Sequence, residues 1–233
     1  MSASLTDEIA ATAARLIVEE GLEYGPAKRR AARLLGRQSA RAADLPGNDR
    51  VEDEVRDYLA IFCADTQPAE LAALRTVAAI WMERLDELRP HLTGAVWRGT
   101  ATRLNDVHLE LFCDDSKAAE LALIDRGIDY HVGSRPGPRN QLVDVLSVAH
   151  TRQAVARAGR AAAQTDEARH ADRGDKTDKV GALGKFREFS DGVTVHLSVL
   201  DHDDLRGGLK LDSGGRAQRG DLAALRKLMA QAC

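Results

Sequence analysis

Aromatic residues make up only 4% of this 233-residue chain, so Leu, Ala and Val must fill its core. Cysteine is scarcer still. Cys63, Cys113 and Cys233 form an odd set with no CxxC pair. That argues against a disulfide framework or a zinc ribbon and makes a reducing compartment the default. No apolar run approaches the roughly 20 residues that span a bilayer. The first residues, Met1 to Glu8, are acidic where a secretory leader would be basic. The expectation is a cytoplasmic protein with no membrane contact. A large net charge is also missing. The formal value of −3 argues against coating nucleic acid by bulk electrostatics, though not against a local basic patch.

What is present is enough apolar material, 44%, for a real core, in a length that allows one large domain or two small ones. Residues 1–91 read as a helical region. Ile9, Ala13, Leu16 and Ile17 recur at helical spacing between Leu5 and Glu20. Gly21 and Gly25 interrupt, and Pro26 suits the first turn of a second helix carrying Tyr24, Ala27, Ala31, Leu34 and Leu35 on one side. A turn signal at Leu45 to Asn48 precedes a third stripe, Val51, Val55, Tyr58, Leu59 and Phe62. Thr66 and Pro68 begin a long fourth helix striped by Leu71, Leu74, Ala78, Trp81, Leu85 and Leu88, and Pro90 ends it.

The period then changes from helical to two. Asp106 to Phe112 and Val193 to Leu200 alternate polar and apolar residues, the pattern of half-buried strands. Ile128 to Val132 and Leu142 to Val148 are further strands. Ser116 to Arg126 reads as a helix closed by Gly127, and Leu222 to Met229 as a closing helix capped by Asp221. Residues 154–184 are Ala-rich, charged and poor in large apolar side chains, the composition of a surface insertion. Strands separated by helices after a helical region predict an α+β class, with an N-terminal helical region (1–91) followed by a mixed sheet flanked by helices (92–233).

One constellation points to chemistry. Leu92, Thr93 and Gly94 are followed by a second glycine at Gly99, and after six intervening residues a strand opens with Asp106, Val107 and His108. This resembles the signature of minimal nucleotidyltransferases, members of the DNA-polymerase-β superfamily. There a strand ends in Gly-Ser, a short helix with a second glycine follows, and an Asp-hydrophobic-Asp strand comes next. The resemblance covers roughly Leu92 to Asp204 and does not explain the helices before it. It implies transfer of a nucleoside monophosphate from a nucleoside triphosphate to a protein, RNA or small-molecule acceptor. It also implies a divalent metal, Mg²⁺ or Mn²⁺, held by carboxylates two apart on one strand face. Gly94, Ala95, Arg98 and Gly99 would then hold the triphosphate, and Asp106, His108, Glu110 and His196 the metal, with Asp106, His108 and His196 as the catalytic set.

Two positions depart from that pattern. Ala95 stands where the family has Ser, and His108 stands where it has the second Asp. The best match to the third carboxylate, on the Val193 to Leu200 strand, is His196. Thr194 and Ser198 share its face. Imidazole serves Mg²⁺ poorly and suits a transition metal better. Three readings stay open. Glu110, or one of Asp129, Asp144 and Asp201, supplies the missing ligand of an active enzyme. Alternatively, the chain is a pseudoenzyme that binds a nucleotide or a partner, acting as a regulatory module. In the third reading the site takes a transition metal.

Three weaker signals remain. Arg29, Arg33, Arg37 and Arg41 recur every fourth residue, a basic stripe for RNA, DNA or an acidic protein partner if the helix continues through Gly36. Ser213 to Asp221 is a glycine-rich basic loop before a helix, of a kind that holds phosphate, but without the Lys-Ser/Thr ending of a P-loop. The acidic run Asp201 to Arg206 reads either as a capped turn or as part of the site rim.

Overall fold

A computed structural model describes residues 4–37, 44–115, 117–137, 139, 141–150, 192–206 and 215–231. The stretch expected to be a charged insertion, 154–184, lies outside the described residues. Among those described, the chain is α+β: helices come first, then a six-stranded mixed sheet with helices packed on it.

Three helices form the first unit: α1 (Leu5–Glu20), α2 (Tyr24–Leu34) and α3 (Asn48–Phe62). Ser4 caps α1 reciprocally with Asp7, and Gly21 closes it in the left-handed conformation that a Cβ would strain. Alanines at 10, 13 and 14 on α1 meet alanines at 27, 31 and 32 on α2, and small side chains let the helix axes approach closely. Val51, Val55 and Leu59 of α3 complete this core. Phe62, expected on the same stripe, is instead exposed and packs on the Tyr58 ring. Gly36 has φ +78 just after α2 ends. Arg29 and Arg33 are therefore helical, Arg37 lies beyond the helix, and Arg41 is outside the described residues.

The second core joins α4 (Gln67–Arg84) to the sheet. Leu74, Ala78 and Trp81 of α4, with Leu85 and Leu88 beyond its end, pack with the apolar strand faces. The strands are β1 (His91–Thr93), β2 (Val107–Cys113), β3 (His131–Pro136), β4 (Leu142–His150), β5 (Val193–Asp201) and β6 (Arg219–Gly220), in the order β3-β4-β5-β2-β1-β6. The pair β2 and β5 is parallel and the other neighbours are antiparallel. Short helices α5 (Gly94–Arg98), α6 (Ala118–Asp125), α7 (Asp203–Arg206) and α8 (Leu222–Gln231) connect and flank them.

Alternation divides the sheet as read from sequence. Val107, Leu109, Leu111, Val195, Leu197 and Val199 are all buried in the α4 core. Trp81, fully buried, satisfies its indole by donating to His150 Nδ1 at 3.1 Å. Asp221 caps α8, accepting from Ala224 N at 2.8 Å. No helix among the described residues is long and apolar enough to cross a membrane.

The two cores meet at a polar joint. Glu52 of α3 is buried, and its carboxylate accepts from Arg56 Nη2 at 3.1 Å, Arg98 Nε at 3.0 Å, Thr100 Oγ1 at 3.2 Å and the Tyr24 hydroxyl. A buried carboxylate is tolerable only with such a full set of donors. Burial and the nearby Glu52 charge push the Tyr24 phenol up to about 12.

Candidate functional site on the polar sheet face

Side chains two apart on a strand share a face, so the face opposite the α4 core carries Asp106, His108 and Glu110 from the start of β2 onward, and Thr194, His196 and Ser198 from β5. Parallel pairing sets His108 directly beside His196 and Glu110 beside Ser198. On the flanking strands Thr93 pairs with His108, and Ser147 with His196. The resemblance put His108 and His196 in one site, and the register sets them side by side.

Hydrogen bonds fix the chemistry of this row. His196 Nε2 lies 3.2 Å from Asp106 Oδ2, and its Nδ1 lies 2.9 Å from Ser147 Oγ. An ionised carboxylate only accepts, so a neutral His196 carries its proton on Nε2 and accepts the Ser147 hydroxyl at Nδ1. Both ring nitrogens are thus engaged. The His196 bond holds the Asp106 carboxyl below its ordinary value, against a smaller upward push from burial. Burial lowers the His108 imidazole, and the neighbouring His196 and Arg135 lower it further.

Glu110 sits in the same row with its charge already matched. Arg219 Nη1 donates to one oxygen at 2.6 Å, and Arg135 Nη2 reaches the other at 3.4 Å. Arg135 also donates from Nε to Ser198 Oγ at 3.0 Å, and Arg219 lies over the Phe112 ring. Asp201 lies five residues past His196, at the end of β5. Asp144 is on the opposite face of β4 from Ser147, and Asp129 precedes β3. None of these three carboxylates stands beside Asp106 in the strand registers.

The glycine turn lies over the same face. Gly94 adopts φ +75 directly after β1, and a Cβ there would touch the His108 ring. Gly99 closes α5 at φ +85. Ala95 is in the first turn of α5 and adds no hydroxyl. Arg98 is committed to Glu52 at the joint between the cores.

The donor set does not fit a pair of Mg²⁺ ions. Asp106 is the one carboxylate of the row not bound to arginine, and Mg²⁺ requires several hard oxygen ligands. The His108 and His196 rings stack instead of converging edge-on, as nitrogen lone pairs around one ion must. Among the described residues no group of three or more His, Cys, Asp or Glu is arranged to hold a metal ion.

Ser147, Arg135 and Glu52 were not singled out in the sequence, and Arg219 only as part of the Ser213 to Asp221 loop. Ser147 falls on the polar phase of a strand that was read, so correct pairing alone would have found it. Arg135 and Arg219 act through partners 25 or more residues away, and Glu52, besides its i,i+4 partner Arg56, bonds Arg98 46 residues on, which no local pattern records. No protein-family model, no curated protein and no solved structure matches this chain.

Proposed function

We propose that this chain is a nucleotidyltransferase-like module that keeps the strand framework of the superfamily, has lost its two-metal chemistry, and acts by binding a nucleotide or a protein partner. The observation that carries the reading is the state of His196. It stands where the resemblance puts the third carboxylate and spends both nitrogens on Asp106 and Ser147. In the same row Glu110 is neutralised by Arg135 and Arg219, so one carboxylate remains where the chemistry needs two or three. The order strand, glycine turn, short helix, Asp strand and parallel partner supports the framework half of the proposal.

The experiment is pyrophosphate release from each of ATP, GTP, CTP and UTP with Mg²⁺ and with Mn²⁺, beside direct calorimetric measurement of nucleotide binding. Binding without turnover in Mg²⁺ is expected. Sustained Mg²⁺-dependent release would sink the proposal and establish an active transferase with Asp106 as its principal ligand.

A further inference from the structure

The bonds that spoil the polar row as a metal site assemble a different constellation. Ser147, His196 and Asp106 form one unbranched hydrogen-bonded chain, with 2.9 Å from Ser147 Oγ to His196 Nδ1 and 3.2 Å from His196 Nε2 to Asp106 Oδ2. Ser147 is 49 residues from His196, and Asp106 is 90, so strand register alone brings them together. The His108 ring stacks on His196 and holds its plane, so the imidazole is fixed by two bonds and one face. Ser147 is half-buried, and the side chains of His196 and Asp106 are 25% and 46% exposed, so a small molecule can reach the row. On the far side of Ser147 the register sets His131 of the edge strand β3, an exposed residue whose side chain shares the Ser147 face.

We propose that Ser147 is a nucleophile that hydrolyses small carboxylic esters, with His196 as its general base and Asp106 as the carboxylate that positions His196. A serine hydroxyl is a weak nucleophile until a base takes its proton as the new bond forms. Asp106 only accepts, so it keeps the His196 proton on Nε2 and leaves the Nδ1 lone pair facing the Ser147 hydroxyl. The ring is turned over relative to the usual serine, histidine and aspartate arrangement, where Nε2 faces the serine. The roles need only one nitrogen toward the hydroxyl and the other toward the carboxylate. In the first step Ser147 Oγ bonds to the ester carbonyl carbon and its proton passes to His196 Nδ1. Asp106 stabilises the resulting imidazolium through Nε2–H. The C–O bond to the alcohol then breaks, and the alcohol leaves with the Nδ1 proton. Water attacks the acyl group on Ser147, gives one proton to Nδ1, and the acid departs as that proton returns to Oγ. The His131 ring N–H is the donor nearest by register to the developing oxyanion. A single such donor suits an ester, whose alcohol leaves more readily than the amine of an amide. The reaction uses neither metal nor nucleotide, so it stands independently of the nucleotidyltransferase reading.

The test is labelling of the full chain at pH 7 with a fluorophosphonate probe, read by peptide mass, beside hydrolysis of p-nitrophenyl acetate. The probe's phosphorus bonds to a serine oxygen and fluoride leaves. A single adduct on Ser147 is expected. Ser147→Ala removes one oxygen from a half-buried side chain, and cooperative thermal unfolding checks that the variant is folded. It should abolish the adduct and slow ester hydrolysis at least about 100-fold. Asp106→Asn tests the positioning role, because an amide can donate to Nε2. Nitrogen NMR of the His196 ring should then show the proton moved to Nδ1, with labelling slowed, whereas Asp106→Glu should keep the proton on Nε2. A folded chain that takes no adduct, or an adduct that survives Ser147→Ala, would overturn the nucleophile. Labelling without ester hydrolysis would overturn the acyl reaction. An unchanged His196 proton position and labelling rate in Asp106→Asn would overturn the role of Asp106.

Discussion

The imidazole rings of His108 and His196 lie nearly face to face across two parallel strands, with centroids 4.9 Å apart and planes 22° from parallel. Two positive charges at that spacing repel, and burial already disfavours the charged form of His108.

A pH dependence of stability follows. The folded-state value for His108 is depressed below 6.5, so the unfolded chain takes up this proton more readily. Stability is complete above pH 6.5 and is lost as pH falls toward the lower folded value. Urea midpoints measured from pH 8 to pH 5 should fall across this window, and His108→Asn should flatten the decline. Asp106 is depressed below 3.8, so its own contribution is lost only at pH values beneath that range. An unchanged profile in His108→Asn would remove His108 as the source.

Returning carboxylates to the row should return metal affinity. In the double variant His108→Asp with His196→Asp, three carboxylates would face one another across β2 and β5. Mg²⁺ binding, followed by calorimetry, should strengthen by at least about tenfold. A folded double variant that gains no Mg²⁺ affinity would show that these positions do not converge on one ion.

The register of the central pair can be tested through its buried face. Leu109 is fully buried between the sheet and α4. Leu109→Ala should cost about 2–5 kcal/mol in chemical denaturation. A loss under about 1 kcal/mol would mean that the strand is shifted by one residue, which would turn Leu109 outward.

The joint between the cores should be as sensitive. Removing one member of a buried ion pair leaves the other charge uncompensated, at a cost of about 3–5 kcal/mol. Glu52→Ala should fall near about 3 kcal/mol, the low end of that range, because side chains of Arg56 and Arg98 are 32% and 22% exposed and keep some solvent. Denaturant midpoints of Glu52→Ala and of an Arg56→Ala, Glu52→Ala pair would measure it. Identical stability in all three proteins would show that the cluster does not hold the cores together.

Much of the fold was legible because it is written in local period. The alternation of Val107 to Leu111 and Val195 to Val199 fixed which side chains are buried, and the capping residues Gly21, Gly127 and Asp221 marked helix ends. Strand His131–Pro136 was read too early, at 128–132. Its six residues are all exposed, so no buried face sets a pattern for it. Leu34 continues the apolar stripe of α2 in sequence, yet it is 60% exposed near the end of that helix. In the candidate site, Asp106, His108 and His196 were singled out through the resemblance. The bonds that decide their chemistry were not. Ser147 reaches His196 across 49 residues and Arg219 reaches Glu110 across 109, distances at which sequence carries no periodic trace.

Parallel pairing has one more consequence, in the order of synthesis. Helices α1 to α3 close their core within residues 5–62, whereas β2 pairs Val107 with Val195. A ribosome adding about 5–20 residues per second releases the helical unit on the order of ten seconds before the strand bearing His196 emerges. During that interval β2 lacks its parallel neighbour, and the apolar side of Val107, Leu109 and Leu111 lies against α4, Leu92 and α6 without the apolar side of β5. The nascent chain is thus most prone to aggregate while β5 is still inside the tunnel.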